Sequence, residues 1–263
     1  MLFINDLCVV RGQGPQAHHV YLPQLTLRPG EIVAVTGESG CGKSTLLEAI
    51  GLVLRPASVG RFALHDEKQL DVAALIQRNQ QAELADIRAR HLGFVLQNGG
   101  LLPFLSVQDN IRLPCQLLGM VPDSAMMSRV TDALKLGPLL NKHPAQLSFG
   151  ERQRTAFARA IMHRPGLVLA DEPTAALDVS VRLQVLTLLD DLVKQRGLGL
   201  IFISHDINLV RRFCDRVLVM YAGRVVESLA ASELDQAQHP YTQGLLAALP
   251  DMDQRRARLP VLQ

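Results

Sequence analysis

Hydrophobic and polar positions along this chain switch between two periods. Short apolar runs rich in β-branched residues recur at Leu7–Val10, Val20–Leu22, Glu31–Thr36, Leu92–Leu96, Leu167–Ala170, Leu200–Ile203 and Val217–Tyr221. Their length and composition predict strands. Between them lie stretches with helical spacing: Thr45–Ile50, Asn110–Leu118, Ser124–Leu136, Glu151–His163, Val179–Lys194 and Ile207–Phe213. Strands alternating with helices predict a parallel sheet covered on both faces. The N-terminal runs differ, because a Gly/Pro loop at Gly12–Pro15 and a turn at Arg28–Gly30 join strands directly. Arg224–Glu227 pairs back on Val217–Tyr221 through Ala222-Gly223 as a hairpin. Gln69–Arg90 is polar and helix-permissive. Residues 98–146 hold several prolines and no clear strand, which predicts a helical lobe inserted into the α/β core, reaching about residue 160 with its closing helix. The segment from Ser232 onward reads as helical, then basic.

The strand Glu31–Thr36 and the helix beginning at Thr45 bracket Gly37-Glu38-Ser39-Gly40-Cys41-Gly42-Lys43-Ser44-Thr45. This is a phosphate-binding loop in the strand-to-helix context its mechanism requires. Glycine lets backbone approach phosphate with positive φ. The helix N-terminus supplies free N–H donors and a positive dipole end. Lys43 is placed to reach the β- and γ-phosphates, and the Ser44 hydroxyl to bind Mg²⁺.

Two later segments extend this chemistry. Leu167–Ala170 runs into Asp171 and Glu172 at the carboxyl end of a strand, where ligands gather in such folds. Asp171 can hold the Mg²⁺ shell, and Glu172 can polarise a water for in-line attack on the γ-phosphorus. Ser148-Phe149-Gly150-Glu151 opens a helix as a capping box and is also a second anion-ready N-terminus.

Composition narrows the remainder. The 263 residues suffice for one large domain or two lobes, and the apolar (48%) and charged (20%) fractions are ordinary for a globular chain. A net charge of +2 gives no argument for a nucleic-acid partner, and none is expected. No apolar run approaches the ~20 residues of a membrane span. The start of the sequence does not read as a signal peptide. Cys8, Cys41, Cys115 and Cys214 are scattered, with no C-x-x-C, so a reducing cytosol is expected.

Taken in order, these elements resemble the ATP-binding subunit of an ABC transporter. The resemblance rests on the phosphate loop Gly37–Thr45, Gln97 after Leu92–Leu96 as the Q-loop, and the signature Leu147–Glu151. It continues through the Walker B strand Leu167–Glu172, the D-loop Ala176-Leu177-Asp178 and the switch histidine His205. It covers residues 1–230, with 231–263 as a C-terminal tail. It implies an α/β fold with a phosphate-loop (RecA-like) parallel-sheet core, an N-terminal antiparallel β subdomain and the inserted helical lobe. It implies ATP and Mg²⁺ as cofactors, with Ser44, Gln97 and Asp171 at the metal and Glu172, His205 and Gln97 as catalytic residues. Gly37, Ser39, Gly40, Cys41, Gly42, Lys43, Ser44 and Thr45 would hold nucleotide on one chain. Ser148 and Gly150 would complete it from a second copy or a closely related ATPase subunit, with Asp178 coupling the two sites. Transport would need separate integral membrane subunits, placing the chain peripherally on the cytoplasmic face of the cell's inner membrane. The lobe, through residues such as Leu101, Leu102, Phe104 and Leu105, would dock them. The alternative is a soluble ABC ATPase of DNA repair or translation; these usually carry coiled-coil insertions or paired cassettes, and this chain has neither.

The sequence departs from the family pattern in two places. The signature has Phe149 and Glu151 where the family commonly has glycine and glutamine, and Glu151 brings a negative charge toward a phosphate. Arg11 stands where the family tends to stack an aromatic on adenine, with His18, His19 and Tyr21 as substitutes. Branch signals diverge as well. Leu101–Val107 through Asn110 and Leu113-Pro114 resembles the lipoprotein-release and macrolide-export branch. Asp178–Val181 and His239–Leu246 resemble the oligopeptide and nickel importers; lying away from the docking lobe, they weigh slightly less for substrate. Cys41 within the loop suggests that thiol alkylation would block activity.

Overall fold

The computed structural model describes residues 2–14, 17–65, 69–173 and 179–248. The chain opens with two long strands, β1 (Leu2–Arg11) and β2 (His18–Leu27), then β3 (Ile32–Gly37) and helix α1 (Lys43–Ile50). Next come β4 (Arg61–His65), β5 (Gln69–Asp71), α2 (Val72–Gln77), α3 (Gln81–His91) and β6 (Leu92–Val95). The helical lobe holds α4 (Val107–Leu117), α5 (Ser124–Ala133) and α6 (Phe149–Met162). The core resumes with β7 (Leu167–Asp171), α7 (Val179–Arg196), β8 (Gly199–Ile203), α8 (Ile207–Phe213), β9 (Arg216–Tyr221) and β10 (Arg224–Ala230). A 3₁₀ segment (Ala231–Gln236) and α9 (Pro240–Ala247) follow.

Among the described residues ten strands join one sheet in the order β5-β4-β1-β2-β10-β9-β3-β8-β7-β6. From β9 to β6 every pairing is parallel. At the other end β1, β2, β4 and β5 pair antiparallel. The α/β fold with a parallel core and an antiparallel N-terminal arm is therefore borne out.

Side chains alternate across the parallel strands, as a period of two requires. Ile32, Ala34, Val168, Ala170, Leu200, Phe202, Val217 and Val219 join one apolar core with α4 to α8. Val33, Val35, Leu167, Leu169, Ile201, Ile203, Leu218 and Met220 face a second core built on α1, β1 and β2. Each large side chain fully buried here stabilises the fold by about 1.5–3 kcal/mol relative to exposure.

Several segments differ from the sequence reading. Gln69–Arg90 is not one helical stretch. Leu70 pairs with Leu64 in β5, and Asp71 then caps α2 by accepting from the Ala74 N–H at 3.0 Å. Asn79, at φ 55°, separates α2 from α3. β10 runs three residues past Glu227, because Ser228–Ala230 continue to pair with β9. Of the expected docking residues Phe104 is 72% exposed, Leu102 and Leu105 are half-buried, and Leu101 packs against the core. Leu117 (76%) and Val121 (92%) are exposed on the same lobe. Residues 249–263, the expected basic tail, lie outside the described residues.

The loop carrying Phe104 is organised by a fully buried Asn110. Its Oδ1 accepts from the Leu102 N–H at 2.8 Å. Its amide donates to the carbonyls of Leu102, Leu105 and Ser106 at 3.0–3.2 Å. Asn110→Ala removes the side-chain partner of the Leu102 N–H and the Leu105 carbonyl, while the Leu102 and Ser106 carbonyls keep the N–H groups of Leu105 and Asn110; it should lower stability by about 1–3 kcal/mol, read as a drop in the thermal midpoint.

Candidate functional site

β3 is buried along its whole length between β9 and β8, so its carboxyl end can only open upward into the phosphate loop. Two glycines there are sterically required. A Cβ on Gly37 (φ 147°) would lie 2.1 Å from the Met220 carbonyl oxygen, and one on Gly42 (φ 103°) 2.5 Å from Val20 Cγ2. Gly42 caps α1 without a side-chain bond, leaving the first N–H groups of that helix free for an anion. Lys43 is buried and donates to the carbonyls of Gly37 at 2.9 Å and Glu38 at 2.7 Å. Ser39, Gly40 and Ser44 are exposed on the loop, and Thr45 packs inward.

Cys41 is 3% exposed, and burial pushes its thiol up. A thiol reagent can therefore reach the sulfur only when the loop opens.

β7, next but one to β3, ends at Asp171. Burial raises that carboxyl, and a hydrogen bond from Ser44 partly offsets the rise. Serine hydroxyl and carboxylate thus meet beside Lys43, a donor set of hard oxygens that fits Mg²⁺. Glu172 follows at φ 47°, in the left-handed region that side chains rarely adopt. That turn aims its carboxylate at two other expected residues. His205 Nε2 lies 2.9 Å from Glu172 Oε1, and Gln97 Nε2 donates to Oε2 at 3.4 Å. Three candidates, 75 and 33 residues apart from the central one, therefore form a single cluster.

Two supports went unnoticed in the sequence. Buried Gln153 donates to the Glu172 carbonyl at 3.3 Å, tying α6 to the end of β7. Arg159 donates to the carbonyls of Gly100 at 2.7 Å and Gly99 at 3.1 Å, fixing the turn after Gln97. Both look like ordinary polar positions on an amphipathic helix, so no local signal marks them.

Ser148 and Gly150 lie at the start of α6, with Ser148 exposed. The capping box is complete: Glu151 N–H donates to Ser148 Oγ at 3.3 Å, and Ser148 N–H donates to Glu151 Oε2 at 2.6 Å. The negative charge of Glu151 is thus turned back on its own backbone, and the Ser148 N–H holds its carboxyl below the usual range. Asp178 and the rest of the D-loop lie outside the described residues.

Among the adenine candidates, Arg11 is ion-paired with Glu48 on α1. Tyr21 is tied to Asp6 through its hydroxyl at 2.8 Å. His18 shares a face of β2 with Val20, and its Nε2 lies 3.2 Å from where a Gly42 Cβ would be.

The ABC transporter family model matches residues 23–175. The oligopeptide transport ATP-binding protein OppD of Lactococcus lactis subsp. cremoris is 34% identical over 250 residues, covering 89% of this chain and 71% of that protein. The methionine import ATP-binding protein MetN of Streptomyces avermitilis is 38% identical over 231 residues, covering 86% of this chain and 65% of that protein. Among solved structures, the dimeric ATP-binding cassette MJ0796 in a post-hydrolysis state with ADP and Pi aligns with a TM-score of 0.75 and 29% identity. It covers 88% of this chain and 99% of that one.

The capping geometry generates a pH prediction. Because the folded carboxyl of Glu151 is lowered, its stabilisation is complete above the ordinary glutamate range and is lost as pH falls through the folded value. Glu151→Gln should therefore melt below the parent at pH 7, and the gap should narrow as pH falls below the ordinary glutamate range, followed by circular dichroism.

Proposed function

The chain belongs to the ABC transporter family as an ATP-binding, ATP-hydrolysing subunit that powers transport through separate membrane subunits, and on that premise we propose the roles of its residues. The observation that carries the proposal is the cluster of Gln97, Glu172 and His205 at the strand ends beside the phosphate loop. The N–H groups of the loop and of the first turn of α1, with the Lys43 ammonium, hold the phosphates. Ser44, Asp171 and Gln97 would hold Mg²⁺, which would supply positive charge against the phosphates. Glu172 accepts a proton from the attacking water, and His205 and Gln97 orient that carboxylate and sense the γ-phosphate. His18, whose imidazole borders the loop, takes the adenine; Arg11, held by Glu48, does not.

This arrangement supports half of a site. The exposed start of α6, with Glu151 tied to the Ser148 N–H and the Ser148 side chain at the surface, is placed to meet the phosphate of a second copy paired head to tail. ATP then acts as the clamp. To swing the pair from 1:99 to 99:1 closed, it must prefer the closed form by ~5.5 kcal/mol. Among the described residues no helix is long and apolar enough to cross a membrane. The exposed Phe104, Leu117 and Val121 form the surface through which the lobe meets integral membrane subunits at the cytoplasmic face. The names of the relatives favour import, with peptides as the substrate class, in line with the importer-like segments Asp178–Val181 and His239–Leu246.

Glu172→Gln should lower ATP hydrolysis by about 10²–10⁴-fold, the scale of a lost general base. It should also give a dimer that elutes stably on gel filtration with ATP and Mg²⁺; elution only as monomer would refute the clamp. Phe104→Asp should leave ATP binding intact while abolishing co-purification with the membrane subunits from detergent extracts. Recovery only with ribosomes or DNA would return the chain to the soluble alternative.

A further inference from the structure

The segment His239–Leu246 supplies the N-cap and most of the body of α9. Its place in the fold is specific. α9 runs back to the phosphate loop, where the Tyr241 hydroxyl accepts a hydrogen bond from the Glu38 N–H at 2.8 Å. The tyrosine is not a loose surface side chain. Its ring stacks on Tyr221 with centroids 4.5 Å apart, and burial pushes its hydroxyl up. The start of α9 is pinned to the sheet by Glu227, whose Oε1 accepts from the N–H groups of Gln238 at 2.7 Å and His239 at 3.4 Å. His239 then caps the helix by accepting from the Tyr241 N–H at 3.2 Å.

The bond falls on one particular peptide unit. The N–H of Glu38 and the carbonyl of Gly37 belong to the same planar group. That carbonyl accepts from Lys43 Nζ at 2.9 Å. The unit is therefore gripped at both ends, by the tyrosine on its nitrogen side and by the ammonium on its oxygen. Rotating the plane breaks both bonds, and each bond polarises the group in favour of the other.

We infer that Tyr241 is a positioning residue for Lys43, acting through the Gly37–Glu38 peptide, so that the C-terminal helix is a working part of the phosphate site. The inference rests on the reading of that loop as the nucleotide site.

The test is a double-mutant cycle on the full chain, with Tyr241→Phe, Lys43→Ala and the pair. ATP affinity is measured by calorimetry, with KM and kcat for hydrolysis where activity remains. Tyr241→Phe keeps the ring stack and removes only the acceptor. It should weaken ATP binding about 3–10-fold, the size of one net hydrogen bond, and raise KM by the same factor with kcat within about twofold. In the Lys43→Ala background the same change should have no further effect, since coupled residues are not additive. A purely structural tyrosine would lower the nucleotide-free melting point and leave ATP affinity unchanged, or weaken binding equally in both backgrounds; either result overturns the inference. If Lys43→Ala binds ATP as the parent does, the nucleotide reading itself falls. If Lys43→Ala weakens binding and Tyr241→Phe does not, only the role of Tyr241 is lost.

Discussion

The double-sided burial of β3 is the constraint on which the site depends. With β9 on one side and β8 on the other, its backbone is committed to the sheet and both its faces to apolar cores. The chain can leave only at the carboxyl end, and there the Met220 carbonyl excludes any side chain at Gly37. The loop is shaped by what surrounds it as much as by its own glycines. The same sheet order sets Asp171 two strands away, at the same end, and so brings hydroxyl, ammonium and carboxylate together.

A second level of order comes from α6, which serves both lobe and core. Its first turn presents Ser148, its middle sends Gln153 to the carbonyl of Glu172, and its last turns send Arg159 to the bend after Gln97. One rigid rod thus touches the residue proposed to meet a second copy, the proposed base, and the turn leading to the docking lobe. That continuity joins the lobe proposed for docking to the cluster around Glu172 through one helix.

The parallel core was legible because strands buried on both faces read as unbroken apolar runs, as at Ile32–Val35 and Leu200–Ile203. The site residues were legible because each follows such a run directly. β4 and β5 were not, since Arg61, His65, Gln69 and Asp71 give a short edge hairpin no alternation to read. The polar composition of Gln69–Arg90 pointed to helix throughout, and the cap at Asp71 and the left-handed Asn79 divided it. Gln153 and Arg159 were invisible for a different reason: their partners lie far along the chain, and local periodicity carries no record of them. Glu151 shows the reverse case, in which a local capping pattern explains a departure from the usual signature.

The sheet has a seam. β2 meets β10 at one register pair, Arg224 with Tyr21, supported by the Tyr21 N–H on the Gly223 carbonyl at 2.7 Å. Everywhere else neighbouring strands share several pairs. The phosphate loop lies across this junction: Gly37 presses on Met220 of the parallel body, and Gly42 on Val20 of the antiparallel arm. Beneath it, though, Leu7, Val20 and Leu22 of the arm pack in one core with Val33, Val35 and Met220 of the parallel body and with Leu46 and Leu47 of α1, so the two halves are welded by side chains where backbone pairing is sparsest.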